Sequence, residues 1–92
     1  MDVKLVEQYI AEVLTEKFEC EFEICKALRD FNFRSNDYYF TFPLGLKNES
    51  AKESLQRKVR NWLEQDIDNI CPDCHIIYNS NGTISSDSIL RK

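Results

Sequence analysis

Two thiols and an imidazole fall within five consecutive residues, Cys71-Pro72-Asp73-Cys74-His75. The string matches the C-x-x-C-H pattern of covalent haem attachment. A haem would need a second axial ligand, yet His75 is the sole histidine and Met1 the sole methionine. No cofactor is therefore expected. A thioredoxin-like redox motif fits poorly as well. In that motif the cysteines open a helix, whose N-terminus stabilises the thiolate. Here they follow a helical pattern, where the dipole has the opposite sign. A zinc site would draw on Cys71, Cys74 and His75 and take a fourth ligand from Cys20 or Cys25. Neighbours in a strand point to opposite faces, however, which separates Cys74 from His75. A metal or redox site at Cys71, Cys74 and His75 is kept as an alternative. The expected role is packing, with both cysteines as small apolar residues at a helix-to-strand corner and Pro72-Asp73 as its turn.

Nucleophilic catalysis needs a base beside the nucleophile, and His75 is the single histidine available. Glu64 and Asp68 stand one helical turn apart on what reads as a wet face, where carboxylates serve solubility. Two glycines, Gly45 and Gly82, are too few for a Gly-rich phosphate loop. No catalytic residue is nominated, and the reading is non-enzymatic.

A second constellation is basic. Lys52, Arg57, Lys58 and Arg60 share a helical stretch, and Tyr38, Tyr39 and Phe40 are aromatic. Cations with aromatic platforms are the means by which single-stranded nucleic acid is held. Glu49, Glu53, Glu64 and Asp66 interleave with the cations, which points instead to a salt-bridged solvent face. A nucleic-acid-binding module using Lys52, Arg57, Lys58 and Arg60 is the other alternative.

The third constellation is acidic. Residues 1–46 hold five Lys/Arg against nine Asp/Glu, while residues 47–92 hold seven of each. Glu19, Glu21 and Glu23 alternate with Cys20, Phe22 and Ile24. As a strand, this puts three carboxylates on one face at about 6.6–6.8 Å spacing. Glu12 and Glu16 precede them. Such a zone steers and docks a basic partner surface. The sites expected for partner binding are Glu19, Glu21, Glu23 and Tyr39.

The elements that position these residues follow from hydrophobic period. Val6, Tyr9, Ile10, Val13 and Leu14 recur at helical spacing over residues 3–18. A half-buried strand is expected from residue 19, slipping at a bulge or short turn near residues 25–28. Phe31 and Phe33 resume a period of two. Arg34-Ser35-Asn36-Asp37 is turn chemistry, and residues 38–42 form a second strand that pairs antiparallel with the segment before the turn. Ala51, Leu55, Val59, Trp62, Leu63, Ile67 and Ile70 stripe a second helix over residues 49–70, with Ser50 and Glu53 as a capping box. A third strand over residues 74–78, a turn at Asn81-Gly82 and a weak fourth strand over residues 83–86 complete the chain. The fold class is α+β, a two-layer sandwich in the order α-β-β-α-β(-β). Its two amphipathic helices pack on one face of a small antiparallel sheet.

The chain is read as a single domain over residues 1–92, with about 86–92 as a frayed tail. Met1-Asp2-Val3-Lys4 is not a secretory n-region. No apolar run approaches the roughly 20 residues of a membrane span. The cytoplasm is expected, with all four cysteines as thiols. The formal net charge of −4 disfavours phosphate contact. The expected function is that of a small acidic protein-binding module, inhibitor or adaptor in type, docking a basic surface on a partner protein. No membrane is expected to be involved. The sequence does not determine the oligomeric state.

Overall fold

The computed structural model describes residues 2–25 and 30–89. Helix α1 (Val3–Phe18) is followed by strands β1 (Glu23–Cys25), β2 (Phe31–Arg34) and β3 (Tyr38–Phe42). Helix α2 (Lys52–Gln65) and strand β4 (Cys74–Ile77) complete the fold. The α+β class and the succession of helix, strands, helix and strand agree with the sequence reading, and the segment expected as one interrupted strand before the residue 34–37 turn forms two, β1 and β2. Asp2 caps α1, its carboxylate accepting from the Lys4 N–H at 3.0 Å. Val6, Ile10, Val13 and Leu14 form its buried face.

Three local features differ from expectation. The strand expected from Glu19 begins only at Glu23. Glu19 instead terminates α1 in left-handed backbone, with φ 54°. Residues 20–22 cross from helix to sheet, and Phe22 packs its ring against Phe18, Tyr38 and Phe40. Second, α2 starts without the capping box: Ala51 occupies the cap position and makes no side-chain bond. Third, α2 stops at Gln65 and gives way to a short 3₁₀ turn, Ile67–Asn69, which leaves Ile67 exposed. Of the bulge or turn expected near residues 25–28, Cys25 ends β1 and residues 26–28 lie outside the described residues. β1 and β2 run antiparallel.

The sheet order is β1-β2-β3-β4. β1, β2 and β3 pair antiparallel, as expected for β2 and β3. β4 adds to β3 in parallel, so the sheet is mixed rather than antiparallel throughout. The cause is the connection: a strand that returns through a helix comes back in the same direction. Ile24, Phe33, Phe40 and Ile76 lie in register across all four strands and face the helices. Phe33 and Phe40 are fully buried, and Ile76 nearly so.

The two helices run parallel to one another. Gln56, buried between them, donates to the Tyr9 carbonyl at 3.0 Å and to the Glu12 carboxylate at 2.9 Å. Ion pairs then step along the seam: Glu12 with Lys52 at 3.3 Å, Glu16 with Arg60 at 3.5 Å and Lys17 with Glu64 at 3.6 Å. Each pair is solvent-exposed on at least one side, so each contributes at most about 1 kcal/mol. Together they set the register of one helix on the other. No helix among the described residues is long and apolar enough to cross a membrane.

Beyond β4 the chain turns at residues 79–83, where Gly82 has φ 87°. It then runs back beside β4. The segment expected to fray from about residue 86 is hydrogen-bonded to β4 as far as Ile89. The His75 N–H donates to the Ile89 carbonyl and the Ile89 N–H to the His75 carbonyl, both at 2.8 Å. Between them the Ser88 hydroxyl accepts from the Ile77 N–H at 2.8 Å.

Candidate functional site

The topology gathers acidic groups at one end of the molecule. β1 starts there, β2 ends there, and β3 and β4 both start there, because Glu23, Arg34, Tyr39 and His75 form one transverse row. α1 ends there at Glu19, and α2 runs back to the same end before β4. Glu19, Glu21, Glu23, Asp37 and Asp73 are all exposed at this end. The carbonyl ends of two helices carry partial negative charge, and both point the same way. Asp37 and Asp73 are tied together by backbone, the Asp73 N–H donating to the Asp37 carbonyl at 2.7 Å. A groove of about 800 Å³ opens here, lined by Cys20, Glu21, Phe22, Glu23 and the turn at residues 34–37.

Of the expected binding residues, Glu23 and Tyr39 share the open face of the sheet, separated by Arg34. Glu19 and Glu21 lie at the same end, off the sheet, in the helix cap and the link that follows it. The zone is less uniform than the sequence suggests. Glu23 pairs with Arg34 at 3.3 Å, and this hydrogen bond raises the Arg34 pKa further above its already high value. Glu12 and Glu16 belong to the helix seam, where Gln56 and then Lys52 hold the Glu12 carboxyl below its usual range. Asp37 and Asp73 were missed by sequence reading. They are far apart in the chain, and only the parallel addition of β4 beside β3 brings them together.

The basic alternative keeps little free charge. Lys52, Lys58 and Arg60 are each paired with a carboxylate, those of Glu12, Glu49 and Glu16. Lys58 also lies 5.7 Å from the Trp62 ring centroid. Arg57 is exposed.

The Cys71, Cys74 and His75 group is divided by the sheet. Cys74 is buried on the helix side. Its sulfur lies at disulfide distance from that of Cys71, with the two Cα atoms 5.6 Å apart. His75 projects to the opposite, open face. Cys20 and Cys25 are half-buried with free thiols. Among the described residues, no group of three or more His, Cys, Asp or Glu is placed to hold a metal ion.

On the open face His75 joins a polar chain. Asn32, in β2, donates from its amide to the Asp30 carbonyl at 3.3 Å, which turns its oxygen toward Thr41. The Thr41 hydroxyl donates to that oxygen at 2.7 Å. Thr41 Oγ1 must then accept from His75 Nε2–H, 3.0 Å away. The neutral imidazole is thereby held in the Nε2–H form, with the lone pair on Nδ1. The Tyr39 ring lies 4.1 Å from the imidazole, centroid to centroid.

Burial lowers the His75 pKa below its ordinary 6.5. The folded state therefore prefers the neutral ring. At pH values where the unfolded chain takes up a proton and the folded chain does not, stability falls. The loss begins as pH drops through about 6.5 and is complete below the lowered folded value. Urea denaturation at pH 7.5 and pH 5.5 is expected to show a lower midpoint at pH 5.5. His75→Gln removes that difference. Glu12 is lowered and titrates in a more acidic window, while Asp66, raised by burial, acts with the opposite sign, adding stability as the pH falls.

Compared with known proteins, the chain matches no family model, and no curated protein or solved structure resembles it significantly.

Proposed function

We propose that this chain is a small non-enzymatic binding module, inhibitor or adaptor in type, that docks a basic surface of a partner protein at its acidic end. One observation carries the reading. Glu19, Glu21, Glu23, Asp37 and Asp73 converge with the C-termini of both helices at one end of the molecule. Arg34 and Lys17 are paired with Glu23 and Glu64. The field there is negative, and such fields steer oppositely charged partners and raise their association rates. Tyr39 offers a half-buried aromatic surface beside Arg34, the kind of side chain that anchors interfaces.

The test is the triple charge reversal Glu19→Lys/Glu21→Lys/Glu23→Lys. A partner captured by the wild-type chain from host lysate and then purified should bind the triple variant at least about tenfold more weakly, mostly through slower association. Raising the salt should weaken wild-type binding in the same sense. Equal affinity for wild type and variant would remove this site from consideration.

A further inference from the structure

The row Ile24, Phe33, Phe40 and Ile76 faces the helices across all four strands, yet its members are not equally covered. Phe33 and Phe40 are 0% exposed and Ile76 1%, whereas Ile24 is half-buried. The difference lies in position, because Ile24 sits on β1, the sheet's outermost strand. Nothing pairs with the outer edge of β1 among the described residues. On the helix side of that edge a groove opens between Ile24 and the α1 residues Gln8, Ala11, Glu12, Thr15 and Glu16. Ala11 and Thr15 are small, which leaves room under the helix for a side chain arriving from outside.

An extended segment added to β1 would lie about 4.8 Å beyond it. Its alternate side chains would point to opposite faces. One set would enter the groove against Ile24 and Ala11. The other set would lie on the open face beside Glu23, with Glu19 and Glu21 just ahead of the strand. The first set must be apolar and the second basic. We infer that the outer edge of β1 accepts an extended segment of the partner, alternating apolar and basic residues, as an added strand. This rests on the docking of a basic partner proposed above and specifies how that partner is held. Strand addition draws affinity from main-chain hydrogen bonds and specificity from alternate side-chain pockets. An edge of three residues among those described is otherwise a common way to blunt a sheet against unwanted pairing. The experiment separates these two roles.

The probe is an eight-residue synthetic peptide alternating lysine and valine. A peptide of the same composition, with four lysines followed by four valines, is the control. Both are titrated into the isotope-labelled chain and followed by amide chemical shifts and hydrogen exchange. The alternating peptide is expected to shift the amides of Glu23, Ile24 and Cys25 and to protect those among them whose N–H points away from β2. The block peptide is expected to bind at least about tenfold more weakly, a difference of about 1.4 kcal/mol. Ala11→Arg should fill the groove and weaken the alternating peptide by a similar factor. Thr15→Arg, at an exposed position of the same groove, provides a second variant should Ala11→Arg fail to fold. No response at the β1 amides, equal binding of the two peptides, or unchanged affinity in a folded groove variant would overturn the inference. The natural partner separates the two proposals. If it binds the groove variants normally but not the triple charge variant, strand addition is wrong and acidic docking stands. If it binds the triple charge variant normally, the docking proposal itself fails.

Discussion

Phe40→Ala is expected to destabilise the fold by about 3–5 kcal/mol, the usual cost of deleting a buried aromatic side chain. Phe40 is fully buried in β3, an inner strand. Its ring meets those of Phe18, Phe22 and Phe42 at centroid distances of 5.3, 5.9 and 6.2 Å. The lost interactions therefore reach α1, the link before β1 and the end of β3 itself. A helix, a loop and two flanking strands meet at this ring, so the cavity cannot close by moving one side chain. In a domain of this size each kcal/mol lowers the melting temperature by about 4–8 °C. A drop of roughly 12 °C or more in a thermal melt followed by circular dichroism is the expected result. A drop of only a few degrees would mean that the ring cluster repacks around the gap.

The second large effect is expected at Gly82. Its φ of 87° lies in left-handed backbone, where a residue with a Cβ pays about 1–2 kcal/mol. Space is the larger obstacle. A Cβ built at Gly82 would lie 2.7 Å from both Cδ1 and Cε2 of Trp62, well inside van der Waals contact. Trp62 is itself held in place, stacked on Tyr78 at 5.7 Å with its carbonyl accepting from the Tyr78 hydroxyl. Gly82→Ala must therefore push the turn off the indole or shift the indole off Tyr78. With strain of about 1–3 kcal/mol from overpacking, the total should reach about 2–5 kcal/mol. Trp62 is the only tryptophan, so its fluorescence reports the local change directly. A red-shifted emission and a lowered urea midpoint are expected. An unchanged spectrum with full stability would show that the turn yields freely. The contact explains why the Asn81-Gly82 turn, legible in the sequence as a tight reversal, tolerates only glycine at its second position: the backbone approaches an aromatic face there.

The elements were legible where one physical signal stood alone. Residues 3–18 carry apolar groups at helical spacing and no breaker, and α1 spans that range. Residues 38–42 are β-prone between turn residues and Pro43, and β3 spans that range. The signal misled where two structures share a period. Alternating Glu19 to Ile24 reads as a strand, but a link that docks Phe22 into a ring cluster also alternates exposed and covered residues. The helix cap at Glu19 decides between them, and left-handed Glu has no strong sequence signature. The Ser50 and Glu53 pair failed for a related reason. The preceding 3₁₀ turn, Leu44–Asn48, sets where the chain enters α2, and Ala51 lands at the cap.

The candidate site divides along the same line. That this half of the chain is acidic is a property of composition, as is the absence of a phosphate loop. The pairing of those acids is a property of arrangement. Glu12 and Glu16 meet Lys52 and Arg60 only because α1 and α2 lie parallel, and that follows from which end of the sheet each helix must reach. Asp37 and Asp73 join Glu19, Glu21 and Glu23 only because the α2 crossover returns β4 parallel to β3. Local sequence determined the helices, the strand faces and the net charge, since each depends on the spacing of neighbouring residues. The tertiary structure decided which charges are neutralised and which end of the molecule stays negative, since those depend on contacts between residues remote in the chain.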